Sequence, residues 1–141
     1  MPYAMHDKEY ANVVALRDVD RYAYACAKFV DWREVWSLRN AGGWVLAGDD
    51  DGREGVPVWP HPRFAQDCAT GRWDGCVPAA IPVQDWMDKW LPGMERDNRY
   101  VATFPLPGAS TRAIQVEPAA HREHLSDELA KYGEDGDADE A

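Results

Sequence analysis

The chain has 141 residues, a net charge of −10 and 45% hydrophobic residues. That length suits one domain with a core that needs no disulfide staples. The negative field opposes binding to nucleic-acid phosphates or to an anionic membrane surface, and the sequence has no run of about 18 apolar residues to span a bilayer.

Half of the excess charge lies after Gly133, in Glu134, Asp135, Asp137, Asp139 and Glu140. This stretch has too few apolar side chains to offset the entropy of ordering, so a disordered acidic tail is expected over 133–141 and the folded domain over 1–132. Cys26, Cys68 and Cys76 form no C-x-x-C pair, which points to reduced thiols in a reducing compartment. The N-terminus lacks an apolar signal core. The expected location is cytoplasmic.

Residues 6–16 read as a short helix with Tyr10, Val13 and Val14 along one side. Asp18 fits the N-cap of a second helix, in which Tyr22, Cys26, Phe29 and Val30 recur at i, i+4, i+7 and i+8 and pack inward. Val35–Arg39 reads as the first strand, and residues 40–43 turn the chain. From Trp44 to Pro60 the pattern gives two more strands, with Trp44, Leu46, Val56 and Val58 on one parity and Asp49, Asp50, Asp51 and Gly52 in the turn. Pro57 has no amide proton, so its strand is expected at an edge or paired on one side only.

A short helix follows over 61–69, with Pro62 in its first turn and Phe64 and Cys68 facing the sheet. Residues 71–82, with Trp73 and two prolines, read as a loop. Val83 to Met94 forms another helix, with Trp86, Met87 and Trp90 on one face, that Pro92-Gly93 ends or distorts. Arg99–Phe104 and Arg112–Val116 make a hairpin. Pro118 opens a last helix that runs to about Tyr132. The fold class is therefore α+β: a single domain with a mostly antiparallel sheet of about five strands, a three-stranded meander plus a C-terminal hairpin, packed with about five helices. The second sheet face mixes Ser37, Arg39, Ala47, Thr103 and Gln115 with Val35, Val45, Trp59 and Val101. It reads as covered by helices or as receiving a partner.

Three motifs invite chemistry. An EF-hand aligned on Gly52 would put Ala47 at its first ligand position and Val58 at its last, so calcium binding fails and the aspartates read as a solvated turn. His121 and His124 lie at i, i+3, but zinc takes three or four ligands, so the pair reads as an exposed polar helix face. His61 with Cys68 or Cys76 raises a thiol nucleophile, with Cys76, in a loop, the better placed. No catalytic residue, metal site or cofactor is assigned. The chain carries seven tryptophans; most read as core, and one or two exposed ones, Trp59 and Trp73 first among them, would mark a binding surface. The candidate binding residues are Trp59, His61 and Trp73, with Asp49, Asp50 and Asp51.

Asp20-Arg-Tyr-Ala-Tyr24, Asp31-Trp-Arg-Glu-Val-Trp-Ser-Leu38, Gly43-Trp-Val-Leu46, Pro57-Val-Trp-Pro-His61 and the segment from Trp86 to Leu91 together resemble the bacterial family called domain of unknown function 2750. The likeness covers roughly residues 8–130, and Val58-Trp-Pro-His61 after a tryptophan-bearing hairpin is its most specific part. It implies a small bacterial cytoplasmic α+β domain and supplies no activity and no catalytic residues. The acidity and the aromatic surplus favour a non-enzymatic protein-interaction domain, adaptor- or immunity-like, with a basic protein partner. The alternative is a small-molecule-binding domain or enzyme with a pocket near His61 and Cys76. Neither nucleic acid nor a membrane is expected as a partner, and nothing in the sequence sets the oligomeric state.

Overall fold

Strand β1 (Glu34–Asn40) ties two sheets together. The computed structural model describes residues 5–48, 51–107 and 113–140, the last segment with side chains as far as Lys131. One sheet has the order β2 (Gly43–Trp44), β1, β5 (Val77–Pro82), and the other has the order β3 (Ala47–Gly48), β4 (Glu54–Val58), β6 (Tyr100–Thr103), β7 (Ile114–Val116). The pairings are antiparallel except β4 with β6, which is parallel. Five helical bodies surround the sheets: α1 (Asp7–Val14), α2 (Asp18–Asp31), α3 (Pro62–Asp67), a continuous stretch of α4 (Val83–Asp85), a π turn (Trp86–Trp90) and α5 (Leu91–Arg96), and α6 (Pro118–Glu140). The chain is thus an α+β domain with mostly antiparallel sheets, as its periodicity indicates.

Backbone hydrogen bonds along β1 show how the sheets join. Trp36 exchanges both of its bonds with Trp59, at 2.9 and 2.8 Å, and the Leu38 carbonyl accepts from the Val45 amide at 3.0 Å. The even positions of β1 therefore serve β2 and the end of β4. The odd positions, Val35, Ser37 and Arg39, face Ile81, Ala79 and Val77 of β5. It follows that Pro78, Ala80 and Pro82 turn their backbone away from β1. Two of these three have no N–H, so the outer edge of β5 is a poor template for strand addition. This corrects the loop expected over 71–82: its prolines mark a protected edge strand, not the absence of one.

The expected meander is also divided. The ladder breaks at Val45-Leu46, so β2 belongs to one sheet and β3 to the other. β4 lies inside its sheet, between β3 and β6, and is not an edge. β3 reaches only Glu54 and Gly55, however, so Pro57 has a ladder partner on one side, Ala102 of β6. On the other side its carbonyl accepts the Ser37 hydroxyl at 2.6 Å.

The sheet face that reads as mixed is core, as are Leu38, Val56 and Val58 on the other parity. Val35, Ser37, Trp59, Val101 and Thr103 are fully buried, and Val45 and Ala47 nearly so, while Trp36, Trp44 and Leu46 are half-buried. Helices α2 and α3 pack on β1. Only Arg39 and Gln115 of the mixed set reach solvent.

Two local features follow from single residues. Pro92 cannot donate to the carbonyl four residues back, and its ring would crowd that carbonyl. The helix widens just before it, with the Leu91 amide reaching the Trp86 carbonyl, and then runs on through Gly93 to Arg96. α2 begins one residue earlier in role than expected: Arg17 is the N-cap without a side-chain cap bond, and Asp18 occupies the first turn.

Candidate functional site

Trp59 is fully buried rather than exposed, because the Trp36 bridge pulls it between the sheets. Its indole N–H donates to the Pro105 carbonyl at 2.9 Å, and the Cys68 thiol donates to the same oxygen at 3.2 Å. Trp73, half-buried, meets the Trp59 ring edge-on at 6.2 Å. Trp59→Phe should cost about 1–2 kcal/mol, since it leaves the buried carbonyl with only a weak thiol donor. A shift of the urea midpoint at constant m-value checks this.

His61 caps α3: its Nδ1 accepts from the Arg63 amide at 3.1 Å, and its ring meets Trp32 at 5.7 Å. Cys76 is buried, with Asn40 Nδ2 3.7 Å from its sulfur. These contacts place the two at opposite ends of β1, His61 beyond the Trp36–Trp59 bridge and Cys76 beside Asn40. Six residues of strand separate them, about 20 Å at the usual rise, so no pocket joins His61 to Cys76. Cys68 is packed against the core, and burial pushes its thiol up to about 12, the reverse of what a nucleophile needs. Asp51 is exposed; Asp49 and Asp50 lie outside the described residues.

The polar group that stands out lies between α2 and α6. His121 is fully buried, contrary to the exposed face expected for it, and His124 is exposed. The Tyr22 hydroxyl sits 3.0 Å from His121 Nδ1 and 2.7 Å from His124 Nδ1. Phe29 and Trp86 each meet the His121 ring edge-on at 6.0 Å. Burial, and secondly the neighbouring His124, lower the His121 pKa to about 3, so the ring is neutral at ordinary pH. Burial also raises the Tyr22 phenol and pushes the Cys26 thiol up to about 11. His121 Nε2 and Trp86 Nε1 are buried and have no hydrogen-bond partner. A signal for this placement exists in the sequence: Pro118, His121 and Leu125 follow at i, i+3 and i+7, and all three are buried. Among the described residues no group of three or more His, Cys, Asp or Glu is placed to hold a metal.

The second feature is the elbow between α1 and α2. Tyr10 stacks on Phe64 at 5.2 Å and donates to Asp67, while Arg63 pairs with Asp7 at 2.8 Å; these contacts hold α1 on α3. Arg21, 3% exposed, donates to the Leu16 carbonyl and to Asp18, each at 3.0 Å, and its guanidinium lies over the Phe104 ring. Phe104 itself has φ +53° and is fully buried, a backbone conformation that bulky side chains avoid. Along α1 and the residue that follows its last turn lies an open, largely apolar depression of about 460 Å³ lined by His6, Lys8, Glu9, Asn12, Val13 and Leu16. Val19, in the first turn of α2, is 66% exposed.

Fold and surface together define a small α+β domain with a polar helix junction and an open apolar depression on a strongly acidic chain. The chain belongs to the family described as protein of unknown function DUF2750, whose model matches residues 22–125. Neither a curated protein nor a solved structure matches it. Among the described residues no helix is long and apolar enough to cross a membrane.

Proposed function

We propose that this domain is a protein-interaction module, adaptor- or immunity-like, that takes a basic protein partner at the α1–α2 elbow. The observation that carries the reading is the open apolar depression along α1, together with Val19, which is exposed in the first turn of α2 three residues after Leu16. An apolar contact of this kind is the usual centre of an interface, with polar groups around it. Around the elbow Arg17 pairs with Asp20, Arg21 with Asp18 and Arg63 with Asp7. These pairs neutralise three bases and three acids, so beyond Lys8 in the lining the chain's net charge of −10, half of it in the tail, supplies the field that attracts a basic surface. The acidic tail and Asp51 then speed encounter, while Val19 and Leu16 supply the contact that slows dissociation. Trp59, being core, has no part in it.

The test is affinity capture with the wild-type chain and with Val19→Glu, at about 50 and 300 mM salt. Val19→Glu adds a negative charge, so electrostatics alone would strengthen binding to a basic protein; only loss of the apolar contact weakens it. The reading expects a basic partner held by the wild type, held less well at high salt and released by Val19→Glu. A chain ending at Tyr132 should bind the same partner with a slower association rate and an unchanged dissociation rate. Equal capture by Val19→Glu, or no basic partner at either salt, contradicts it.

A further inference from the structure

We propose that Tyr22 couples the tautomer of buried His121 to the protonation of exposed His124, so that the α2–α6 junction senses pH. The inference rests on hydrogen-bond counting at one hydroxyl and is independent of the partner-binding reading.

A phenol has one proton to donate. Tyr22 faces two imidazole Nδ1 atoms within hydrogen-bond distance, at 3.0 and 2.7 Å. It can donate to only one of them, and the other must carry its own proton and donate to the phenol oxygen. Two arrangements result. In the first, His121 Nδ1–H donates to Tyr22, Tyr22 donates to His124 Nδ1, and His121 Nε2 is a bare lone pair. In the second, His124 Nδ1–H donates to Tyr22, Tyr22 donates to His121 Nδ1, and His121 carries its proton on Nε2.

Burial decides between them when His124 is neutral. His121 Nε2 has no partner, and an orphaned buried N–H is rarer than an under-used acceptor. Trp86, whose ring meets His121 edge-on, brings a second unpartnered N–H to this region; a lone pair suits that neighbour and another N–H does not. The first arrangement is therefore the resting one. A proton arriving from solvent goes to exposed His124, not to His121 in the core. Doubly protonated His124 can only donate, which reverses both hydrogen bonds and moves the His121 proton from Nδ1 to Nε2. The junction then holds a buried N–H without an acceptor.

Other titratable groups lie on the elements packed here: Glu95 and Arg96 on α5, which packs on α6, and Asp127 and Glu128 one turn beyond His124 on α6 itself. From α2, the Cys26 sulfur lies within hydrogen-bond reach of the Tyr22 hydroxyl as an acceptor; sulfur is a weak acceptor and competes poorly with an imidazole nitrogen for the phenol's one proton. On α6, Glu128 acts on Cys26, and Arg122 is turned to the Met87 carbonyl and Asp88. From the π turn, Trp86 contributes only its N–H.

The test is long-range ¹H–¹⁵N correlation of the imidazole nitrogens in the ¹⁵N-labelled full chain, from pH 8 to pH 5. His121 should carry its proton on Nδ1 at the upper end and on Nε2 at the lower end, moving in step with the second protonation of His124. In His124→Ala, a change at an exposed position that leaves the fold intact, His121 should keep one tautomer throughout. Three results overturn the proposal: one His121 tautomer across the range in the wild type, a doubly protonated His121 within it, or a tautomer exchange that persists in His124→Ala.

Discussion

Gly55→Ala should destabilise the domain by about 2–3 kcal/mol, the range for forcing extra volume into a packed core. Gly55 lies opposite Tyr100 in the parallel β4–β6 ladder, and the Tyr100 ring is packed directly over it. A Cβ at residue 55 would come within 2.6 Å of two ring atoms, Cδ2 and Cζ. The ring has little room to retreat. Tyr100 is 2% exposed, and on it lies the guanidinium of Arg53, which is itself fixed by two hydrogen bonds to Glu117 at 2.6 and 2.7 Å and one to the Asn98 carbonyl. Urea unfolding gives the stability. Repeating Gly55→Ala in a Tyr100→Leu background isolates the clash, since a smaller side chain should remove most of the penalty. An equal loss in both backgrounds would show that the ring is not its cause.

Acid should unfold the wild-type chain earlier than His121→Leu. The folded state holds His121 neutral down to about pH 3, whereas an imidazole in the unfolded chain takes its proton near pH 6.5. Between those values the unfolded state binds more protons, so stability falls as pH falls. By pH 4 the loss should be about 3 kcal/mol, at about 1.4 kcal/mol per pH step. His121→Leu carries no titrating group there and should lack that part of the slope, whatever its stability at neutral pH. Glu117, held below the usual carboxylate range by Arg53, adds a loss of the same sign at more acid pH. It is common to both chains and cancels in the difference. Urea midpoints at pH 7, 5.5 and about 4 decide it. Parallel pH profiles would mean that His121 is charged in the folded state.

Periodicity carried most of the fold. The stripe Tyr22, Cys26, Phe29, Val30 and the pair Phe64, Cys68 sit where their spacing puts them, because a helix face is set locally. Errors arose where long-range pairing decided the outcome. Pro78 and Pro82 look like loop residues until β1 is known to leave their backbone facing outward. Val35 and Ser37 look mixed with solvent-facing residues until β4 is placed against β1, where the Pro57 carbonyl takes the Ser37 hydroxyl. The parallel partner of β4 lies more than forty residues away and leaves no local mark.

The candidate sites were less legible for the same reason. Trp59 reads as a surface anchor, but its bridge to Trp36 buries it. His61 and Cys76 look near each other along the chain, yet the register sends them to opposite ends of one strand. His121 reads as polar surface by residue type, although its spacing with Leu125 assigns it to the buried stripe. Tyr22, its partner, is 99 residues away. The depression lies along residues 6–16, but α1 is held in place by the contacts of Tyr10 with Phe64 and of Asp7 with Arg63, which lie more than fifty residues apart in the chain.

The most direct measurement is amide hydrogen exchange of the chain alone and with the basic partner recovered by capture. The account predicts new protection in α1 and the first turn of α2, from about Asp7 to Asp20, with little change along β5 or α6. Protection centred on the β5 edge or on α6, with the α1–α2 elbow unaffected, would contradict it.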